Sequence, residues 1–338
     1  MIYKLLRPVL FLFDAETIHE FSLKTLNIVN KLGLLTLYTK KVSTETKSVM
    51  GIDFPSVVGL AAGLDKNGDY IEALAALGFG AIEIGTVTPK PQDGNPKPRM
   101  FRLLSKQAII NRMGFNNKGV DYLVEQVEKS NYKGILGINI GKNAATPIEN
   151  AVDDYLICLR RVYAHASYIT INISSPNTKN LRQLQQGNEF KPLLGALKQE
   201  QSILAEKHGK YVPLVVKIAP DLQHEDVGVI AQVLRELGMD GVIATNTTIS
   251  RDGVENEQYG SETGGLSGAP LTNKSTDIVS QLHAHLGDEI PIIAAGGIMN
   301  AEDAQTKIAA GANLVQIYSG LIYQGPGLIS DIKRAIIN

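Results

Sequence analysis

Cysteine is nearly missing from this 338-residue chain. Cys158 stands alone, so no intrachain disulfide can form and a reducing compartment is expected. It lies in the helical stretch Asp153–Leu159, where a small buried packing residue is the natural reading. An excess of either charge is missing too. The 33 Lys and Arg oppose 34 Asp and Glu, and a net charge of -1 gives no general pull toward nucleic acid or anionic lipid. Neither CxxC nor HExxH occurs and the six histidines are scattered, so no metal site is expected. Long apolar runs are absent. Val9 to Phe13, the longest near the N-terminus, is far short of a bilayer span. It lacks the small-residue cleavage site of a signal peptide and is followed by Asp14 and Glu16. The chain is expected in the cytoplasm or on the cytoplasmic face of a membrane.

What is present is a globular composition, 44% hydrophobic and 20% charged, long enough for one large domain or two ordinary ones. The first 40 residues differ from the rest. Ile2 to Phe13 is apolar apart from Lys4 and Arg7. Asp14 then suits an N-cap and Glu16 the first turn of a helix, with Gly33 as its stop. Ile18, Phe21, Thr25, Ile28, Val29 and Leu32 fall on one side of that helix. Two amphipathic helices are therefore expected at 1–40, either packed on the main domain or, as the all-round apolar Val9–Phe13 favours, serving a membrane surface or an apolar ligand.

From residue 41 to 338 a strand–helix rhythm repeats, after a short hairpin or plug around Val49–Pro55. Strands are expected at Val57–Ala61, Ala81–Val87, Ile135–Ile140, Ile169–Ile173, Leu214–Ile218, Gly241–Asn246, Ile290–Ala295 and Leu314–Ser319, each followed by a helix. Eight such units imply a (β/α)8 TIM barrel with an N-terminal helical extension. A doubly wound open sheet is the alternative, disfavoured by the count and by the missing GxGxxG after the first strand. Between the second strand and its helix, Pro89, Pro91, Pro96 and Pro98 stiffen a loop, and Met100–Leu104 with Ala108–Met113 reads as a hairpin. A long ordered excursion above a barrel usually covers a site.

Barrel sites lie at the C-terminal strand ends. Here the ends carry Ala62-Gly63-Leu64-Asp65-Lys66, Gly85-Thr86, Asn139, Asn172 to Thr178, Lys217, Thr245-Asn246-Thr247, Gly296-Gly297 and Tyr318-Ser319-Gly320. Amides, hydroxyls, glycines and two lysines dominate. Carboxylates are sparse and no histidine stands at a strand end, which disfavours glycoside hydrolysis and a Ser-His-Asp triad. The glycines after strands seven and eight, with Thr263–Gly268, suit an anion cradle built from backbone N–H groups. Asn111, Asn172, Asn177 and Asn246 suit a planar ligand with imide and carboxylate edges. A phosphate-bearing redox cofactor with a small amide-rich anion fits; a flavin-free isomerase or lyase acting on a sugar phosphate is the competing enzyme class.

Several of these segments resemble dihydroorotate dehydrogenases. They are Gly59–Lys66, Glu83–Pro89, Asn111–Asn117, Asn172–Thr178, Lys217–Asp221, Ala244–Thr248, Gly264–Gly268 and Gln316–Gly320. The likeness runs over essentially the whole chain and is to the membrane-associated, quinone-dependent, bacterial branch. It implies FMN as cofactor and oxidation of (S)-dihydroorotate to orotate in de novo pyrimidine (UMP) synthesis. A membrane quinone, ubiquinone or menaquinone, would be the acceptor, and the protein a monomer peripheral to the cytoplasmic face of the cell inner membrane. By the same resemblance, Ala62, Gly63, Leu64, Asp65, Lys66, Thr86, Asn139, Asn172, Lys217, Thr245, Gly268, Gly297, Tyr318 and Ser319 should hold FMN. Lys66, Asn111, Arg112, Met113, Gly114, Phe115, Asn172, Asn177, Asn246 and Thr247 should surround the substrate. Ser175 matches the catalytic base, taking a proton from C5 while hydride leaves C6 for flavin N5. Soluble relatives with other acceptors use cysteine there. A serine needs activation; Thr178 or water, sealed in by Pro176–Asn188, is the expected relay. His19 and Arg102 are candidates along the quinone entrance.

Overall fold

The computed structural model describes residues 2–35, 42, 44–185 and 189–337. Ile2–Leu10 forms helix α1 and Ala15–Lys31 helix α2. The Asp14 carboxylate caps α2 by accepting the Thr17 N–H at 2.9 Å. Beyond its end, Gly33 takes φ 73° and donates to the Asn30 carbonyl at 2.8 Å. Phe21, Ile28 and Leu32 of the expected stripe turn outward, where Leu5, Leu6, Val9, Leu12 and Phe13 are also exposed; Leu23 enters the core instead. Polar anchors attach the pair to the rest of the chain. The Tyr3 hydroxyl donates to the Ile322 carbonyl, Arg7 to the Tyr323 carbonyl at 2.6 Å, and the Arg102 guanidinium to the Phe13 carbonyl. Glu16 and Arg99, both buried, form an ion pair at 2.8 Å.

The hairpin β1 (Lys47–Val49) and β2 (Ile52–Phe54) precedes β3 (Val58–Leu60), α3 (Ile71–Ala75) and β4 (Ala81–Val87). An antiparallel excursion follows as β5 (Met100–Leu103) and β6 (Ala108–Asn111), before α4 (Val120–Lys129). The rhythm continues with β7 (Ile135–Ile140), α5 (Ala151–Val162), β8 (Tyr168–Asn172), α6 (Phe190–His208), β9 (Leu214–Ile218), α7 (His224–Glu236) and β10 (Gly241–Ala244). It closes with β11 (Gly265–Gly268), α8 (Thr272–Leu286), β12 (Ile292–Ala295), α9 (Ala301–Ala309), β13 (Leu314–Ile317), α10 (Ser319–Gln324) and α11 (Gly327–Ile337).

The eight parallel strands β3-β4-β7-β8-β9-β10-β12-β13 close into a TIM barrel. Val49 and Phe54 of the hairpin plug its floor, packing on Ala81, Ile135, Tyr168, Val215, Ile243, Ile293 and Leu314. A polar layer lies above the plug. Glu83, fully buried, accepts from Asn139 at 2.8 Å, from the Tyr168 hydroxyl at 2.9 Å and from Gln316 at 2.6 Å.

Four strands stop earlier than expected, β3 at Leu60 and β8 at Asn172 by one residue each, and β10 and β13 by two. β10 ends at Ala244 because the Asn246 side chain accepts the Thr247 N–H at 2.8 Å, a local turn that competes with the ladder. β13 ends at Ile317, and Tyr318 and Ser319 instead begin α10. The glycine-rich Thr263–Gly268 stretch is more ordered than its composition implies. Gly265–Gly268 pairs with β6, Gly265 opposite Asn111 and Gly268 opposite Ala108, completing a three-stranded sheet. Only glycine fits that approach: a Cβ on Gly265 would lie 1.9 Å from the Thr247 hydroxyl oxygen.

Candidate active site

Above the polar layer, at the C-terminal ends of the strands, a cleft opens under the antiparallel sheet. Ala62, Gly63, Lys66, Thr86, Asn111, Met113, Gly114, Phe115, Asn172, Ser175, Asn177, Lys217, Thr245, Asn246, Thr247, Gly268, Gly297, Tyr318 and Ser319 all line it. Six singled-out residues lie outside this wall, His19, Arg102 and four others that do other work. Asn139 is fully buried one step below, where its side-chain oxygen accepts from Thr86 at 2.6 Å and from Asn172 at 3.2 Å. Leu64 packs in the core. The Asp65 carboxylate gathers the backbone N–H groups of Asn67, Gly68, Asp69 and Tyr70 at 2.7–3.3 Å, fixing the loop that carries Lys66. Burial pushes its pKa up to about 6 against those bonds. The Arg112 guanidinium points away, paired with Glu262 at 2.6 Å.

Amides knit the wall together. Asn172 donates to the Thr86 hydroxyl at 2.9 Å, while its oxygen receives Asn246 at 3.3 Å. Asn177 donates to Asn111 at 3.2 Å across the cleft, tying the loop after β8 to the end of β6. The Ser175 hydroxyl accepts the Asn177 N–H at 3.2 Å. Three residues on, the buried Thr178 hydroxyl has no hydrogen-bond partner among the described residues.

Two ammonium groups enter this cleft without an ion pair or hydrogen bond among the described residues, those of Lys66 and Lys217. Burial pushes Lys66 down to about 8, and burial lowers Lys217 too, with Glu83 pulling the other way. Cations that face a cleft with no ion partner among the described residues call for an anionic occupant. Beside Lys66, the His19 ring donates from Nε2 to the Leu64 carbonyl at 3.1 Å, and burial pushes its pKa down to about 4. His19 is therefore a neutral, half-buried ring between α2 and the cleft, not a solvated surface residue. Arg102 lies further out, its guanidinium 4.7 Å from the centre of the Phe11 ring. Among the described residues no helix is long and apolar enough to cross a membrane.

Sequence reasoning passed over part of the site. Met100 and Ile109 line it from the antiparallel sheet; their alternation in the hairpin was the available signal. Ser267 also faces it, 2.8 Å from the Ser319 hydroxyl. Arg182, in the loop after β8, donates to the Ser174 carbonyl at 3.0 Å, the Thr247 carbonyl at 2.7 Å and Asp221 at 2.8 Å. It fastens that loop to the ends of β9 and β10, and nothing in its local sequence marks it. Residues 186–188 of the expected cover lie outside the described residues.

The dihydroorotate dehydrogenase family model matches residues 44–338. The quinone-type dihydroorotate dehydrogenase of Nitrosomonas eutropha is 62% identical, covering 99% of this chain and 98% of that protein. The quinone-type enzyme of Chromobacterium violaceum is also 62% identical, covering 99% and 97%. A crystal structure of DHODH from Eimeria tenella in complex with ferulenol superposes with a TM-score of 0.84 at 39% identity, covering 94% of this chain and 90% of that one.

Proposed function

The chain belongs to the dihydroorotate dehydrogenase family, and from that premise we propose that it is an FMN enzyme that oxidises (S)-dihydroorotate to orotate and passes the electrons to a membrane quinone. It is an oxidoreductase of pyrimidine biosynthesis. The observation that carries the finer reading is the convergence of Lys66, Lys217 and the amides of Asn111, Asn172, Asn177 and Asn246 around Ser175 in one cleft.

The residues fit FMN. Lys217 gives a charge for a cofactor that becomes anionic on reduction, the glycine turns at Gly268 and Gly297 bring backbone close to a phosphate, and Thr86, Thr245, Tyr318 and Ser319 add polar edges. Bound there, FMN supplies the two-electron acceptor. The four asparagines offer donors and acceptors to the imide and carboxylate edges of dihydroorotate, and Lys66 offers the carboxylate a cation. Ser175 takes the proton from substrate C5. The Thr178 hydroxyl, buried and without a partner among the described residues, is the next station for that proton, and Arg182 fastens the loop that carries both groups.

The exposed apolar faces of α1 and α2 support the quinone part of the proposal. We read residues 1–40 as the access extension, peripheral to the membrane at its cytoplasmic face, and 41–338 as the FMN-binding barrel. His19 and Arg102 line the route between them. The test is an acceptor panel on the purified chain. A yellow protein bleached by dihydroorotate and reoxidised by quinones, but not by fumarate or NAD, is expected. A colourless protein, or one reoxidised only by fumarate or NAD, would overturn the proposal.

A further inference from the structure

Lys307 on α9 is fully buried. Its ammonium donates to the Thr272 carbonyl at 2.8 Å, the Ser275 hydroxyl at 2.5 Å and the Thr276 hydroxyl at 2.6 Å. These groups all belong to the first turns of α8, and the lysine makes no ion pair with a described residue. Asp303, one turn earlier on α9, spends a carboxylate oxygen on the Met299 N–H at 2.8 Å. A cation is poorly placed there twice over. Burial without a counter-ion is costly, and the N-terminal end of a helix is already positive.

What lies on the other side of that turn resolves the mismatch. The Ser275 hydroxyl oxygen is 2.9 Å from the Gly296 carbonyl oxygen, and the Thr272 hydroxyl donates to the Gly297 carbonyl at 2.6 Å. Gly296 and Gly297 line the cleft. Lys307 thus stands directly behind the glycine turn, joined to it through two hydroxyl-bearing residues.

We propose that Lys307 is a positioning residue for the anionic end of the cofactor: it braces the Gly296–Gly297 turn through Thr272 and Ser275 and supplies from behind the charge that a phosphate on that turn requires. This rests on the reading that the phosphate of FMN lies at Gly297. The phosphate would be the ion partner that no described residue supplies, Asp303 acting on the lysine only from a distance. Lys307 touches neither cofactor nor substrate, so its effect must follow the phosphate and not the flavin ring.

The experiment titrates the full-length, deflavinated chain with FMN and with riboflavin, which lacks the phosphate, by quenching of flavin fluorescence. Lys307→Gln keeps a donor toward Ser275 without the charge, and Lys307→Met removes both, so either folded variant suffices. FMN affinity is expected to fall about tenfold or more, the order for one charge acting through protein, with riboflavin affinity changed less than about twofold. Equal losses for both flavins, or a full FMN preference retained without the lysine, would overturn the role of Lys307 alone. A native chain that binds FMN no tighter than riboflavin would overturn the phosphate reading at Gly297, and Lys307's part with it.

Discussion

Thr178→Val separates two effects that usually travel together. The hydroxyl is buried and makes no hydrogen bond with a described residue, so the folded chain bears its desolvation, which costs about 1–3 kcal/mol for an unpartnered polar group. Valine has nearly the same shape. The substitution should therefore leave the holoenzyme at least as stable, with a gain of up to about 1 kcal/mol once the difference between methyl and hydroxyl packing is allowed for. If that hydroxyl carries the proton away from Ser175, the same change should slow flavin reduction by about 10²-fold or more, a barrier increase of roughly 2.7 kcal/mol. Stability and turnover then move in opposite directions. Urea unfolding of the holoenzyme reads the first, and anaerobic stopped-flow bleaching of the flavin by dihydroorotate reads the second. An unchanged bleaching rate refutes the relay. A loss of more than about 1 kcal/mol refutes the premise, because it means that the hydroxyl is well partnered in the folded chain.

Other outcomes follow from the same geometry. Ser175→Ala should bind FMN normally yet reduce it slowly, and a native reduction rate would remove the serine from the chemistry. Lys217→Ala should release FMN on gel filtration, since a buried cation of the cleft is lost; a stoichiometric yellow protein contradicts this. For Glu16, burial opposes ionisation, but Arg99 and Lys97 outweigh it and hold the carboxyl below its ordinary value. Its stabilising contribution is thus present above the ordinary glutamate range and is lost as pH falls below about 4.3 toward the lowered folded value. Urea midpoints measured from pH 7 to pH 3 should fall less steeply for Glu16→Gln than for the native chain, and parallel curves would contradict the pair. Deleting residues 1–40 should leave the flavin reducible by dihydroorotate while abolishing quinone turnover; retained quinone turnover would separate the helices from the acceptor site.

The barrel was legible because most of its strands are short apolar runs that end near glycine or a polar residue, as in Ile135–Ile140 before Gly141. The candidate site was legible for the same reason, since those ends converge in any closed barrel. β11 was not. Gly265-Leu266-Ser267-Gly268 has no strand pattern, and its conformation is imposed by the free edge of β6. Periodicity also found the stripe on α2 without telling which way it faces, and the barrel took Leu23 instead of Phe21 and Ile28. Arg182 and Lys307 were invisible for a plainer cause. Their partners lie 8 to 65 and 31 to 35 residues away, and only folding brings them together.

The fastening of α1 and α2 has a bearing on how such a chain can diverge. Arg7, Tyr3, His19 and Arg102 each engage a main-chain carbonyl, at Tyr323, Ile322, Leu64 and Phe13. A carbonyl is supplied by whatever residue occupies the position, so substitutions at those four acceptors leave these hydrogen bonds available, although Tyr323 also packs its ring on Phe11. The outward faces, with Leu5, Val9, Leu12 and Ile28, take no part in it. Mutational drift can therefore change the apolar residues of that outward side while the hydrogen bonds that hold the helices on the barrel persist.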